Sequence, residues 1–225
     1  MAKQSWNSPG LVGGCYAPDM AETVMERHEI ALRGKRLEYF TIGWNSLEGI
    51  VAIAAGLVAG SISLVGFGFD SFIEVTSGAT LLWRMSADAD RHHRERTERI
   101  SLRIVGACFL ALAVYVTYEA IVDLARKNVP EHSLVGIILA CISLVVMPLL
   151  ARAKRKVGAA LKSPAMNADA KQTEFCTYLS AILLGGLLLN AAFGLWWADP
   201  VAALAMAPII TREGVNSWKG NPCCD

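Results

Sequence analysis

Gly66-Phe67-Gly68-Phe69-Asp70-Ser71-Phe72-Ile73-Glu74-Val75 is an apolar run broken by two carboxylates four residues apart. Four residues make about one helical turn, so Asp70 and Glu74 project from one face, ~6 Å apart along the axis. Ionisable groups at membrane depth are costly, and two of one sign cost more. A bound cation offsets both the burial and the repulsion, which makes the pair a candidate cation site. The other reading is a pair facing a wet cavity or bonded to neighbouring helices.

The rest of the chain puts that helix in a membrane. Of 225 residues, 54% are hydrophobic and 18% charged, with a mean hydropathy of +0.40, too apolar for an ordinary soluble domain. The formal net charge of +1 gives no indication of a nucleic-acid partner. Cys15, Cys108, Cys141, Cys176, Cys223 and Cys224 show no framework spacing, and three lie in apolar segments, so disulfides are not expected. Residues 1–36 hold no signal-peptide core, and the expectation is an uncleaved amino terminus that stays in the cytosol.

Residues 1–36 read as a loose tail, then a basic amphipathic helix from Met20 that lies on the membrane, started by an Asp19/Glu22 capping box. Six spans follow, at about 37–60, 62–85, 100–124, 133–150, 167–195 and 199–214, each long enough or nearly so for ~30 Å of hydrocarbon. The sixth is the shortest, with Trp196 and Trp197 as an interfacial belt before it. Residues 86–99, with Asp88, Asp90, His92 and His93 among arginines, read as a solvated loop, and a second cation site there is the alternative. Residues 215–225 form a short tail ending in Cys223-Cys224-Asp225. With the amino terminus in the cytosol, all but Arg126 and Lys127 of the 21 Lys and Arg residues fall on cytosolic segments or span ends. The fold class is therefore an all-α integral membrane protein, a six-helix bundle with both termini cytosolic.

Two more stretches carry chemistry. In the first span Glu48 lies about one turn from Asn45 and must face the bundle interior or water. In the fifth, Asp169, Gln172 and Cys176 share a face by their spacing of three and four, while Lys171 and Glu174 point elsewhere. Gly185, Gly186 and Gly194 permit close helix approach in lipid. No nucleophile and base arrangement is present, and an enzyme is not expected.

Asn45, Gly60-Ser61-Ile62-Ser63-Leu64, Phe69-Asp70-Ser71-Phe72-Ile73-Glu74, Tyr118-Glu119-Ala120-Ile121, Ala168-Asp169, Asp199-Pro200 and Arg212-Glu213-Gly214 together resemble the transmembrane part of the cation diffusion facilitator (cation efflux) family. The similarity covers residues 37–214. It implies a six-helix domain, usually a homodimer, that exports divalent metals such as zinc in exchange for protons. The family's transport site uses two residues four apart on the second span and two on the fifth, which here are Asp70 and Glu74, then Gln172 and Cys176. Where the family usually has His or Asp followed by Asp, Gln172 offers one weak oxygen, and Cys176 a thiolate that favours soft ions. Taken alone, Cys176 reads as a small buried thiol; the match in position makes it a ligand. Glu48 or Asp169 could supply the missing negative charge. Zinc leads as the transported ion, with cadmium, cobalt, nickel, copper or mercury as alternatives. The expected form is a transmembrane-only relative in a bacterial-type inner membrane, its dimer resting on membrane contacts. The competing function is a non-transporting membrane protein that binds or senses metal through Cys223 and Cys224.

Overall fold

The structure, a computed structural model, describes residues 20–86 and 91–219; Cys15, Asp88, Asp90, Cys223 and Cys224 lie outside them. Six helices account for nearly all of the described chain: α1 Met20–Ala59, α2 Ile62–Ser86, α3 Arg91–Arg126, α4 Leu134–Leu161, α5 Pro164–Phe193 and α6 Ala198–Trp218. Their ends are local. Ala59 is followed by Gly60 at φ 66°, which turns the chain into α2. Ser133 and Ser163 cap α4 and α5 by accepting from Gly136 N and Met166 N, and Gly194 at φ 63° closes α5.

Several boundaries differ from the sequence reading: α4 runs on to Leu161, past the expected end at 150, and α6 to Trp218, past 214. No break separates residues 20–36 from 37–59: α1 is one rod of 40 residues, about 60 Å long, so its basic half extends the first span. The loop expected at 86–99 is also shorter, because α3 already begins at Arg91. Glu95 and Arg99 stand four apart in that segment, in the order that supports a helix.

The bundle is apolar outside, and its apolar core also holds a set of buried polar groups. Ile138, Ile142, Val145 and Leu149 form an exposed stripe along α4, and Leu47, Ile50, Leu57 and Val58 do so on α1. The buried stripe of α1 is Glu38, Thr41, Asn45, Glu48 and Ala52, none more than 1% exposed. Exposed apolar stripes of this length suit a lipid solvent and would be unfavourable in water. Among the described residues four helices are by themselves long and apolar enough to cross a membrane: residues His28–Ala59 of α1, Val105–Arg126 of α3, α4, and Asp169–Phe193 of α5. The buried polar groups are spread over α1, α2, α4, α5 and α6, and α2 packs against α1, α3, α5 and α6.

Small residues let backbones meet. A Cβ on Gly68 would lie 3.0 Å from Gly49 O, and one on Gly106 2.8 Å from Gly214 O, so α1 meets α2 and α3 meets α6 at glycine contacts. Of the three glycines expected to do this in the fifth span, Gly186 packs on Ala202 of α6, whereas Gly185 and Gly194 face open space.

The start of α1 and the end of α6 lie at one end of the bundle, called the terminal end below. At the opposite end Asp199 accepts from Ser61 Oγ and Ser63 Oγ, each at 2.5 Å, at the start of α2. Asn190 Nδ2 donates to Pro130 O (3.1 Å), and Glu131 N to Ala59 O (2.8 Å).

Candidate functional site

Midway along the interior, α2 and α5 bring an acid pair and a thiol together. Asp70, Glu74 and Cys176 are 4%, 0% and 2% exposed. Cys176 Sγ lies 3.1 Å from Asp70 Oδ2 and 2.7 Å from Glu74 Oε2, so one S–H is shared between two carboxyl acceptors. The helical turn between Asp70 and Glu74 sets their spacing, and the α2·α5 contact sets the thiol between them. Thr173, three residues before Cys176, donates to Glu74 Oε1 at 2.6 Å. Glu74 is thus held by two donors. Asp70 instead lines a small pocket with Gln172, Phe109, Ile210 and Glu213, among others.

The other expected site residues stand around this cluster. Gln172 borders the pocket beside Asp70, and its buried Nε2 has no hydrogen-bond partner. Glu48 reaches the neighbour of Asp70, accepting from Ser71 Oγ at 3.1 Å, and its buried Oε1 has no partner. Ser180 Oγ donates to Cys176 O (2.6 Å) and lies 3.1 Å from Ser143 Oγ, which makes a hydroxyl-rich layer on the side away from the termini. Asp169 lies on the terminal side and is taken up by other groups: Lys154 Nζ bonds Asp169 Oδ2 and also Glu38 Oε2 (3.3 Å), and Ser77 Oγ donates to Asp169 Oδ1 (3.4 Å). His92 and His93 fall at the start of α3; their side chains lie outside the described part.

Among the described residues no three or more His, Cys, Asp or Glu side chains stand ready-made in metal-coordinating geometry. Asp70, Glu74 and Cys176 are bonded to one another through the thiol hydrogen. A cation that displaced that hydrogen would meet two carboxylate oxygens and one sulfur, with the Gln172 amide beside them.

Two buried charged residues, Lys154 and Glu38, are not among the expected site residues. Lys154 reads as one of four basic residues ending the fourth span, yet it is fully buried. The signal was its register: Met147, Leu150, Ala151, Lys154, Val157 and Gly158 form one buried stripe of α4. Glu38 continues the same stripe of α1 that carries Asn45 and Glu48.

A helical bundle with an apolar exterior and a buried acid and thiol cluster between two of its helices is a polytopic membrane protein of the transporter kind. The family described as the cation efflux transmembrane domain matches residues 41–220, and the chain belongs to this family of metal cation transporters, which are not enzymes. The chain is similar to Transmembrane protein 163 of Xenopus laevis, 26% identical over 204 residues, covering 87% of this chain and 71% of that protein. It is also similar to Uncharacterized transporter MJ0449 of Methanocaldococcus jannaschii (26% over 174 residues, 75% of this chain) and to Magnetosome protein MamB of Magnetospira sp. strain QH-2 (25% over 186 residues, 79% of this chain). The chain spans 61% of the length of each of these two.

Proposed function

We propose that the chain moves a divalent transition-metal cation, zinc foremost, through the site formed by Asp70, Glu74 and Cys176, with the Gln172 amide oxygen as a fourth ligand. The observation that carries this reading is the Cys176 sulfur at 3.1 and 2.7 Å from two carboxylates on a neighbouring helix. Two carboxylates, a thiolate and an amide oxygen suit a tetrahedral zinc ion. The ion displaces protons from the cluster, because ligands bind metal in their deprotonated form. Helix rocking then turns the site to the other side, where protons return and the ion leaves. The distribution of Lys and Arg supports an orientation with both termini cytosolic, and in this reading the membrane is the inner one and the direction is efflux. The functional unit in this reading is a homodimer held by transmembrane contacts.

Wild-type protein in proteoliposomes tests the proposal with a zinc indicator inside the vesicle. Zinc uptake should exceed that of protein-free vesicles and rise when the lumen is made more acidic than the bath. Uptake equal to empty vesicles, or insensitive to the pH gradient, would refute the transport or the proton coupling respectively.

The thiol gives a second expectation. Cys176→Ser keeps a small donor beside both carboxylates but replaces a soft ligand with a hard one. Cadmium affinity should fall on the order of 10- to 100-fold, more than cobalt affinity, in competition binding to purified protein. Equal losses for both ions would remove sulfur from the ligand set.

A further inference from the structure

Below the acid and thiol cluster, toward the termini, a complete cation is already in place. Lys154 is fully buried between Glu38 and Asp169, which are themselves 0% and 5% exposed. Its ammonium bonds Glu38 Oε2 and Asp169 Oδ2, and so ties α4 to α1 and α5. Two carboxyl groups face one ammonium, so when both are ionised the group is charge-matched to a divalent ion and only half-matched to lysine. Glu38 Oε1 is buried without any partner, a free acceptor beside the ammonium. With Ser77 Oγ on Asp169, the donors are all oxygen, a set that takes divalent ions with little discrimination.

The group lies directly in line with the site above. Asp169, Thr173 and Cys176 rise along one face of α5, and Thr173 Oγ1 touches both the Asp169 carbonyl (3.2 Å) and Glu74 Oε1 (2.6 Å). Seven residues of helix separate Asp169 from Cys176, about 10 Å of rise. Lysine has a flexible four-carbon stem and so can leave its partners without moving the backbone, as a rigid strut could not.

We infer that Lys154 is a tethered counter-cation of the transport path: its ammonium fills an acidic station formed by Glu38, Asp169 and Ser77, which an incoming divalent cation takes over on its way to the cluster. While the ammonium sits there, α1, α4 and α5 are held together at the terminal end. When a metal replaces it, that tie is released. The inference rests on the transport reading of Asp70, Glu74 and Cys176.

Zinc binding to purified protein in nanodiscs, counted by equilibrium dialysis, tests it. Lys154→Gln should bind one more zinc per chain than wild type, Lys154→Arg the wild-type number, and Lys154→Gln combined with Asp169→Asn should lose the extra ion. Because Lys154→Gln could fail to fold, wild-type protein is also treated with an amine-acylating reagent and Lys154 modification is read by mass spectrometry. Zinc above the concentrations used in the dialysis, high enough to displace the ammonium, should raise that modification several-fold. A folded Lys154→Gln with unchanged stoichiometry, or Lys154 labelling that stays level or falls with zinc, overturns the inference. If wild type binds zinc in an Asp70-dependent way in such an experiment, the transport site stands and the tethered cation alone fails; if wild type binds no zinc, both fail.

Discussion

Asp70→Asn should reduce zinc flux in proteoliposomes by about 100-fold or more, and Glu74→Gln should do the same. Loss of a residue that only orients a metal ligand typically costs 10- to 100-fold, so loss of a ligand itself belongs at or beyond the upper end. The substitutions are conservative in shape. An Asn at position 70 keeps an oxygen that can accept the Cys176 S–H now donated at 3.1 Å, and a Gln at 74 keeps the acceptor for Thr173. Folding is therefore preserved while a charge is removed, and flux separates the two. Glu48→Gln is the informative contrast, because Glu48 bonds Ser71 and not the cluster. A flux loss for Glu48→Gln as large as for Asp70→Asn would move the ligand set toward α1, and unchanged flux in Asp70→Asn would end the assignment.

Lys154→Gln should be the most destabilising single substitution in the interior, about 3–5 kcal/mol, since it leaves two buried carboxyl groups without their cation. For a chain of 225 residues that corresponds to a fall of roughly 6–20 °C in midpoint temperature, readable by the unfolding of purified protein in detergent. Adding Asp169→Asn should recover a substantial part of the loss, because fewer unpaired charges remain. Saturating zinc should also raise the midpoint of Lys154→Gln more than that of wild type, as any ligand bound only by the folded state does. A Lys154→Gln protein as stable as wild type would mean that the ion pairs to Glu38 and Asp169 contribute nothing, and the tie they make between α1, α4 and α5 would fall with them.

Much of the architecture was legible in the amino-acid order. Hydropathy located six helical segments, and the spacing of Asp70 and Glu74 put both acids on one face, because helix geometry is local and repeats every 3.6 residues. Helix starts and stops were less legible where no Gly or Pro marks them: residues 20–36 continue into the first span, and α3 starts inside the segment read as a loop. The candidate site was legible only in part. Periodicity put Asp169, Gln172 and Cys176 on one face of α5 without ranking them.

Only the packing of α5 on α2 and α4 separates those three. It sets Cys176 against both carboxyl groups, leaves Gln172 at the edge of the Asp70 pocket, and gives Asp169 to Lys154. Lys154 could not be found by charge counting, since a lysine at the end of an apolar run reads as a membrane-boundary residue until a facing helix supplies its acids. The sequence by itself determined that two acids share a buried helix face in a membrane bundle. The tertiary structure decided which groups meet them, because a helix repeat specifies the direction of a side chain but not the neighbour that waits there.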